Sequence, residues 1–377
     1  MKLSILHLIR SLNVAKGGPI EFLKLICESH ARAGVNVKVL TLDGSSVTWW
    51  SNPAVPVIAC GPGAGNYGYH SQFKKKLFQE LASFDLMIVH GLWQYHGICA
   101  LAVAKKLHKP YYVVPHGMLD PWFKRVFPIK HWKKQLYWLL AERSVLKHAS
   151  GVLFTADLEQ ELGAATFWPP TSWQSEILPL GVRQALEDTA APRREFLNRF
   201  PDLQGKRFLL FLGRLHPKKG CDLVIRAMAQ LSPPIELVVA GPDSTPIYGE
   251  QLRKLARNVP VTFTGMLEGG LKWGALACAD ALILPSHQEN FGLVVAEGMS
   301  LGLPVLISNQ VNTAELIEKY GAGIVEPDTL DGTCRLIQRF LAADRRAMSL
   351  AAKRCFRDQF DIRRTSEKLL QILVPND

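Results

Sequence analysis

Short runs of uninterrupted apolar residues alternate along the chain with stretches whose apolar positions recur every three or four residues. The runs Leu3–Ile9, Val35–Leu42, Val55–Ala59, Leu86–Val89, Tyr111–Pro115, Val152–Thr155 and Glu176–Leu178 form one series of expected strands. A second series comprises Phe208–Leu212, Glu236–Ala240, Val261–Thr264, Ala281–Leu284, Val305–Ser308 and Gly323–Val325. Apolar runs that do not alternate with polar positions, and that are separated by helical stretches, predict parallel sheets covered on both faces. Two such series predict an α/β protein of two doubly wound domains. The first is expected over residues 1–180 and the second over 207–355, with the polar stretch 181–206 as a linker. Residues 356–377 carry Phe356, Phe360, Ile362, Leu369, Leu370 and Leu373 at helical spacing and are expected to form a terminal helix that packs back on the first domain.

The 377 residues suit two domains of ordinary size, and 48% hydrophobic with 20% charged residues excludes a disordered chain. No run approaches the roughly 18 apolar residues that a membrane helix needs, and Met1–Arg10 reads as a first strand rather than a leader. Seven cysteines without a Cys-x-x-Cys pair read as reduced thiols, which points to the cytoplasm. The net charge of +11 is concentrated in the first half, with 19 Lys and Arg against 11 Asp and Glu up to residue 180. Such an excess attracts anions: phosphorylated substrates, acidic lipid or nucleic acid.

Candidate chemistry begins where the buried strand Phe208–Leu212 ends in Gly213-Arg214 and continues through Lys218, Lys219 and Gly220 into a helix. Parallel sheets bind ligands at the carboxyl ends of their strands, and a helix start offers N–H groups to a phosphate. Arg214 and Lys219 could neutralise a diphosphate there; a solvated basic loop is the plainer alternative. A second cluster, Pro285-Ser-His-Gln-Glu-Asn-Phe-Gly-Leu-Val-Val-Ala-Glu297, follows the strand Ala281–Leu284. Glu289 and Glu297 could accept bonds from sugar or ribose hydroxyls, and the amides of Asn290, Phe291 and Gly292 could meet phosphate. Otherwise Glu289 is a turn residue and Glu297 a half-buried helix residue that needs a partner.

These residues resemble the retaining glycosyltransferases of family four. The resemblance rests on Gly213-Arg214, Lys219-Gly220, the spacing Glu289-x7-Glu297, Ala296-Glu-Gly-Met-Ser-Leu-Gly-Leu-Pro-Val305 and Gly321-Ala-Gly-Ile-Val-Glu-Pro327, with Gly17-Gly18 and His116-Gly117 in the first half. It covers nearly the whole chain. It implies the GT-B fold, two facing Rossmann-like domains with a cleft between them. It implies that Arg214 and Lys219 bind the donor diphosphate, that Glu289 holds donor-sugar hydroxyls and that the amides of Asn290, Phe291, Gly292 and Leu293 meet sugar and phosphate. Glu297 would bind ribose, and Met266 would lie where the base meets the backbone. Gly17 and Gly18 would face donor phosphate and acceptor, and His116 would lie at the donor sugar. His90-Gly91, ending the preceding strand, is a weaker candidate of the same form. Asp120 is placed on the acceptor side.

Two further features need separate readings. Gly63-Ala-Gly65-Asn-Tyr-Gly68 fits the dinucleotide pattern G-x-G-x-x-G, with Asp85 downstream. It follows a brief run that contains Pro56 and does not open the domain, so it reads as a flexible loop. Trp122–Lys134 holds five Lys and Arg, no acid and interleaved aromatics. It suits an anionic membrane surface or a lipid-diphosphate acceptor, with Lys74, Lys75 and Lys76 adding to it; a solvated helix face and base stacking are the alternatives.

The expectation is therefore a retaining hexosyltransferase. It moves sugar from a nucleotide diphosphate sugar to a hydroxyl of a glycan or lipid-linked glycan, in polysaccharide, exopolysaccharide or surface-glycan biosynthesis. No Asp-x-Asp occurs, so no cofactor or obligatory metal is expected. The chain is expected in the cytoplasm, peripheral at the inner-membrane face through Trp122–Lys134, without nucleic acid as a partner. The alternatives are a GT-B nucleotide-sugar epimerase, a basic nucleic-acid-binding protein, and a nicotinamide-dependent dehydrogenase using the Gly63 loop.

Overall fold

Thirteen strands form among the described residues, each where an apolar run lies. The structure is a computed structural model and describes residues 3–13, 18–44, 50, 52–121, 124, 128–185 and 188–374. Two units follow from it: Met1–Gly181 with Ile362–Asp377, and Val182–Asp361.

The first unit contains β1 (Ser4–Ile9), α1 (Gly18–Arg32), β2 (Asn36–Thr41), β3 (Val57–Ala59), α2 (Phe73–Leu81), β4 (Leu86–His90), α3 (Tyr95–Leu107), β5 (Tyr111–Val114) and α4 (Pro128–Tyr137). A π-turn (Trp138–Glu142), α5 (Arg143–Lys147), β6 (Gly151–Phe154), α6 (Asp157–Thr166) and β7 (Ser175–Ile177) follow. The sheet order is β3-β2-β1-β4-β5-β6-β7 with parallel pairing throughout. β1 lies in the middle, with Ile5 opposite both Val37 and Leu86. That explains why Ile5, Leu6 and Leu8 are fully buried and why the run shows no alternation.

The second unit begins with α7 (Ala190–Arg199) and continues through β8 (Phe208–Leu212), α8 (Cys221–Leu231), β9 (Glu236–Ala240), α9 (Pro246–Leu255), β10 (Val261–Gly265) and α10 (Gly269–Cys278). Then come β11 (Ala281–Leu284), α11 (Leu293–Ser300), β12 (Val305–Ser308), α12 (Ala314–Tyr320), β13 (Gly323–Glu326), α13 (Leu330–Ala342) and α14 (Arg345–Cys355). The order β10-β9-β8-β11-β12-β13 reverses direction between β8 and β11, as the first sheet does between β1 and β4. Ligands of such sheets gather at the carboxyl ends beside the reversal.

Two boundaries differ from the sequence reading. The stretch 181–206 is not a free linker: α7 lies in the second unit against α10. The helices touch so closely that a side chain at Gly274 would strike the Pro192 carbonyl at 2.1 Å. Phe196 is the only residue of α7 that is buried, so the helix leaves little apolar trace in the sequence. Residues 356–360 also stay with the second unit, where Phe360 meets Phe291 edge-on at 5.5 Å. The return to the first unit starts at α15 (Ile362–Leu373), which packs on α1. Its Ile362, Thr365, Ser366, Leu369 and Leu373 form the buried stripe, and the Thr365 hydroxyl donates to the Pro179 carbonyl at 3.0 Å.

Candidate active site

In the second unit the loops after β8 and β11 are stitched together. The His287 N–H donates to the Lys218 carbonyl at 2.8 Å. Gly220 sits in the left-handed region at φ +67°, and a β-carbon there would lie 2.3 Å from the Pro285 carbonyl. Only glycine meets both demands. Lys219 is thereby carried against Glu289, and the two form an ion pair with side chains 19% and 16% exposed. Glu289 is itself pinned: its N–H donates to Gln310 O at 3.1 Å and its carbonyl accepts from Asn312 N at 3.1 Å.

The Lys219 ammonium is pulled down to about 7, by burial first and then by the neighbouring Lys218 and Arg214 cations. Arg214, on the same loop, is exposed. His216 is also lowered, by burial and then by the same three cations, and its Nδ1 accepts from the Lys218 N–H at 3.1 Å. The loop is thus a concentrated positive site in which a diphosphate would relieve cation–cation repulsion.

Gly292, at φ +70°, caps α11 and leaves the amides at the helix start without partners inside it. Asn290 accepts from the Asn312 amide at 3.2 Å. Phe291 is buried, so its side chain is core and only its backbone is offered to a ligand. Glu297 does not stand alone: Lys272 donates to it at 2.7 Å. Met266 is 59% exposed just beyond β10, and the Gly241 N–H donates to the Gly265 carbonyl at 2.8 Å, joining the ends of β9 and β10. Sequence reasoning missed Asp328, whose Oδ2 lies 2.8 Å from His287 Nδ1. A surface cavity lined by Asp280, Arg345 and Pro304 lies at the opposite, amino-terminal ends of β11 and β12 and contains none of the expected site residues.

In the first unit His116 follows β5 in the left-handed conformation, φ +53°, with Gly117 at +74°. The turn is anchored by Glu159, whose carboxylate accepts the Gly117 N–H at 2.5 Å and the Thr155 N–H at 2.7 Å. This buried acid went unnoticed in the sequence because it opens an ordinary-looking amphipathic helix. His90 joins His116, with 3.0 Å between its Nδ1 and His116 Nε2. Gly18 opens α1; Gly17 lies outside the described residues. Asp120 closes the turn, its N–H donating to the Gly117 carbonyl at 3.3 Å.

The G-x-G-x-x-G segment is a closed turn rather than a flexible loop. Ala64 and Tyr69 pair across it, and a β-carbon on Gly63 would strike the Gly68 backbone at 2.7 Å. Asp85 caps the start of β1 by accepting the Ser4 N–H at 2.8 Å, so it lies at the amino-terminal end of the sheet, where no ribose acid belongs.

Of the basic aromatic segment, Lys124 and residues 128–134 are described; Trp122, Phe123, Arg125, Val126 and Phe127 lie outside the described residues. Helix α4 buries no residue. Ile129, Trp132, Leu136 and Leu140 are 75%, 74%, 60% and 75% exposed. Lys134 departs from this face: it lies 4.8 Å from the Trp93 ring, with its ammonium lowered to about 8, chiefly by burial. Glu142, in the π-turn, is buried, accepts the Trp93 N–H at 2.7 Å and is raised to about 7 by burial. Lys76 is engaged by Glu80 at 3.1 Å.

Residues 193–354 match Glycosyl transferases group 1, and residues 17–180 match the Glycosyl transferase 4-like domain. The chain belongs to the group 1 glycosyltransferases. It is similar to D-rhamnosyltransferase WbpZ of Pseudomonas aeruginosa, 25% identical over 356 residues that cover 89% of this chain and 86% of that one. The crystal structure of Anabaena HepE in complex with UDP-glucose has a TM-score of 0.77 at 19% identity, covering 98% of this chain and 99% of that one. WaaG, a glycosyltransferase involved in lipopolysaccharide biosynthesis, has a TM-score of 0.71 at 19% identity, covering 99% of this chain and 100% of that one. The two parallel-sheet units are those of the GT-B fold, and the family and its relatives support a transferase and do not favour the rival classes.

Proposed function

We propose that this glycosyltransferase moves a hexosyl group, with retention, from a nucleotide diphosphate sugar to a hydroxyl of a glycan or lipid-linked glycan during surface-polysaccharide assembly. The observation that carries the reading is the Lys219–Glu289 pair, held by the Gly220–Pro285 contact beside exposed Arg214. In this structure Glu289 is the counter-ion of Lys219. An arriving diphosphate takes over that role and releases the carboxylate to the sugar hydroxyls. Lys219 and Arg214 then face the charge that develops as the bond from the anomeric carbon to phosphate oxygen breaks. The acceptor oxygen bonds to that carbon from the same side, and its proton passes to the departing phosphate. Glu297 meets the ribose in exchange for Lys272. The reading requires no metal.

The acceptor side draws on α4. Its exposed Ile129, Trp132 and Leu136, with Lys130 and Lys133 among them and Leu140 in the π-turn that follows, suit an anionic membrane surface at the cytoplasmic face, where a lipid-linked acceptor is presented. The UDP-glucose bound to HepE supports a nucleotide sugar as donor.

The test is a thermal-shift screen of the full chain against nucleotide diphosphate sugars. The cognate donor at about 100 times its Kd should stabilise by about 2.7 kcal/mol. Transfer to a lipid-linked acceptor follows, with the product's anomeric configuration read by NMR. Inversion would overturn the stereochemistry; donor isomerisation without an acceptor would favour the epimerase; no response to any nucleotide sugar would overturn the reading.

A further inference from the structure

The second sheet holds a paired imidazole and acid that the proposed reaction does not use. His287, in the loop after β11, places its Nδ1 2.8 Å from Oδ2 of Asp328, in the turn after β13, with side chains 37% and 31% exposed. An ionised carboxylate only accepts, so the proton of this bond lies on His287 Nδ1. The partner thus fixes the tautomer.

Asp328 stands on a stiff turn. The Pro327 carbonyl accepts the Thr329 N–H at 2.8 Å, and Thr329 Oγ1 caps α13 by accepting the Gly332 N–H at 3.0 Å. A β-carbon on Gly332 would lie 2.1 Å from the Pro327 carbonyl, so glycine is needed for this close approach. His287 is also bonded through its backbone, the N–H donating to the Lys218 carbonyl. Helices α8 and α13 start from these two loops and pack on each other, which brings the loops together on one face of the sheet. His287 therefore links the turn after β13 to the loop that carries Lys219.

That loop has little apolar packing to hold it. From Arg214 to Lys219 only Leu215 is buried. Its basic groups repel one another: Lys218 and Arg214 add to the burial that lowers Lys219, and the same cations add to the burial that lowers His216. Repulsion favours an opened loop, so polar contacts have to oppose it.

We infer that His287 is a positioning residue for donor binding: its Nδ1–H, held by Asp328, fixes the His287 backbone against the Lys218 carbonyl and thereby keeps Lys219 beside Glu289, where the donor diphosphate enters. The hydrogen bond rather than the charge does the holding, because an ion pair a third exposed is screened by water and salt. The inference rests on the reading that Lys219 binds the diphosphate, and it concerns the second unit alone.

The test uses the full chain, with inorganic pyrophosphate as the probe of the loop. At pH 8, long-range proton–nitrogen spectra of 15N-histidine-labelled protein should show His287 as the Nδ1–H tautomer. His287→Phe keeps a ring and removes the bond. Its pyrophosphate Kd should rise about tenfold, and the pH at which binding weakens should move above about 7 as Lys219 leaves its buried place. Asp328→Ala should match it. His287→Asn, whose amide N–H can replace the donor, and Asp328→Asn, which keeps an accepting oxygen, should stay within about threefold of wild type. Donor KM should follow the same order, with kcat falling less. Where His287→Phe does not fold, Asp328→Ala and the wild-type spectrum decide. Unchanged pyrophosphate binding by His287→Phe, an Asp328→Asn as weak as Asp328→Ala, or His287 as the Nε2–H tautomer overturns the inference and leaves the function standing. The expected order of Kd values in a chain that transfers no sugar upholds the inference and overturns the function.

Discussion

Lys219→Met separates the two consequences of the Lys219–Glu289 pair. Methionine keeps the stem volume and removes the ammonium. An exposed ion pair contributes about 0–1 kcal/mol, whereas removing one partner of a buried pair costs about 3–5 kcal/mol. With side chains 19% and 16% exposed, this pair lies between these limits but nearer the buried one, so the single variant should lose about 2–3 kcal/mol of folding stability. Most of that loss comes from stranding the Glu289 carboxylate. Lys219→Met combined with Glu289→Gln leaves no lone charge and should return to within about 1 kcal/mol of wild type. Transfer should behave differently. Losing a cation aimed at the departing diphosphate should lower kcat/KM by about 10²–10³-fold, and the double variant should not recover it. Urea unfolding measures the first quantity; initial rates at a temperature where every variant is folded measure the second. A double variant that transfers within about threefold of wild type would refute the reasoning, as would an activity loss matched by the unfolded fraction.

Donor affinity should weaken as pH rises through about 7, because the free Lys219 ammonium is lowered to about 7 and the diphosphate binds the charged form. The limit is about tenfold per pH unit, and Lys219→Arg should remove this limb; calorimetric Kd values between pH 6 and 9 check both. Gly220→Ala places a β-carbon 2.3 Å from the Pro285 carbonyl, so the two loops must part by about 1 Å and kcat should fall about 10²-fold while most of the fold survives, as circular dichroism and rates will report. Trp132→Ser with Leu140→Ser removes two side chains exposed at 74% and 75%. Co-sedimentation with phosphatidylglycerol-rich vesicles should fall at least tenfold, since each such side chain contributes about 1.5–3 kcal/mol when buried, and unchanged binding would remove the membrane assignment.

All thirteen strands were legible because a strand covered on both faces needs an unbroken apolar run, and that need is local. The spacing from Glu289 to Glu297 was legible for a similar reason, since one loop and one helix carry both. Helix α7 was not, because its contact is made largely by glycines of α10 rather than by apolar side chains of its own. The Gly63 loop misled because glycine spacing is compatible with both a phosphate cradle and a closed turn. The Ala64–Tyr69 pairing across the loop and the placement of Asp85 at the amino-terminal end of β1 separate them.

The amino-acid order alone determined the two α/β halves and the turns that follow their strands, and it named the candidate residues for a diphosphate. Tertiary structure decided the pairings. Lys219 meets Glu289 seventy positions away, Lys272 meets Glu297, and His90 meets His116. The physical reason is that hydrophobic patterning records whether a residue is buried, while the partner of a buried charge or imidazole depends on which strand lies next to which. That neighbour is chosen by sheet order, which exists only once the chain has folded.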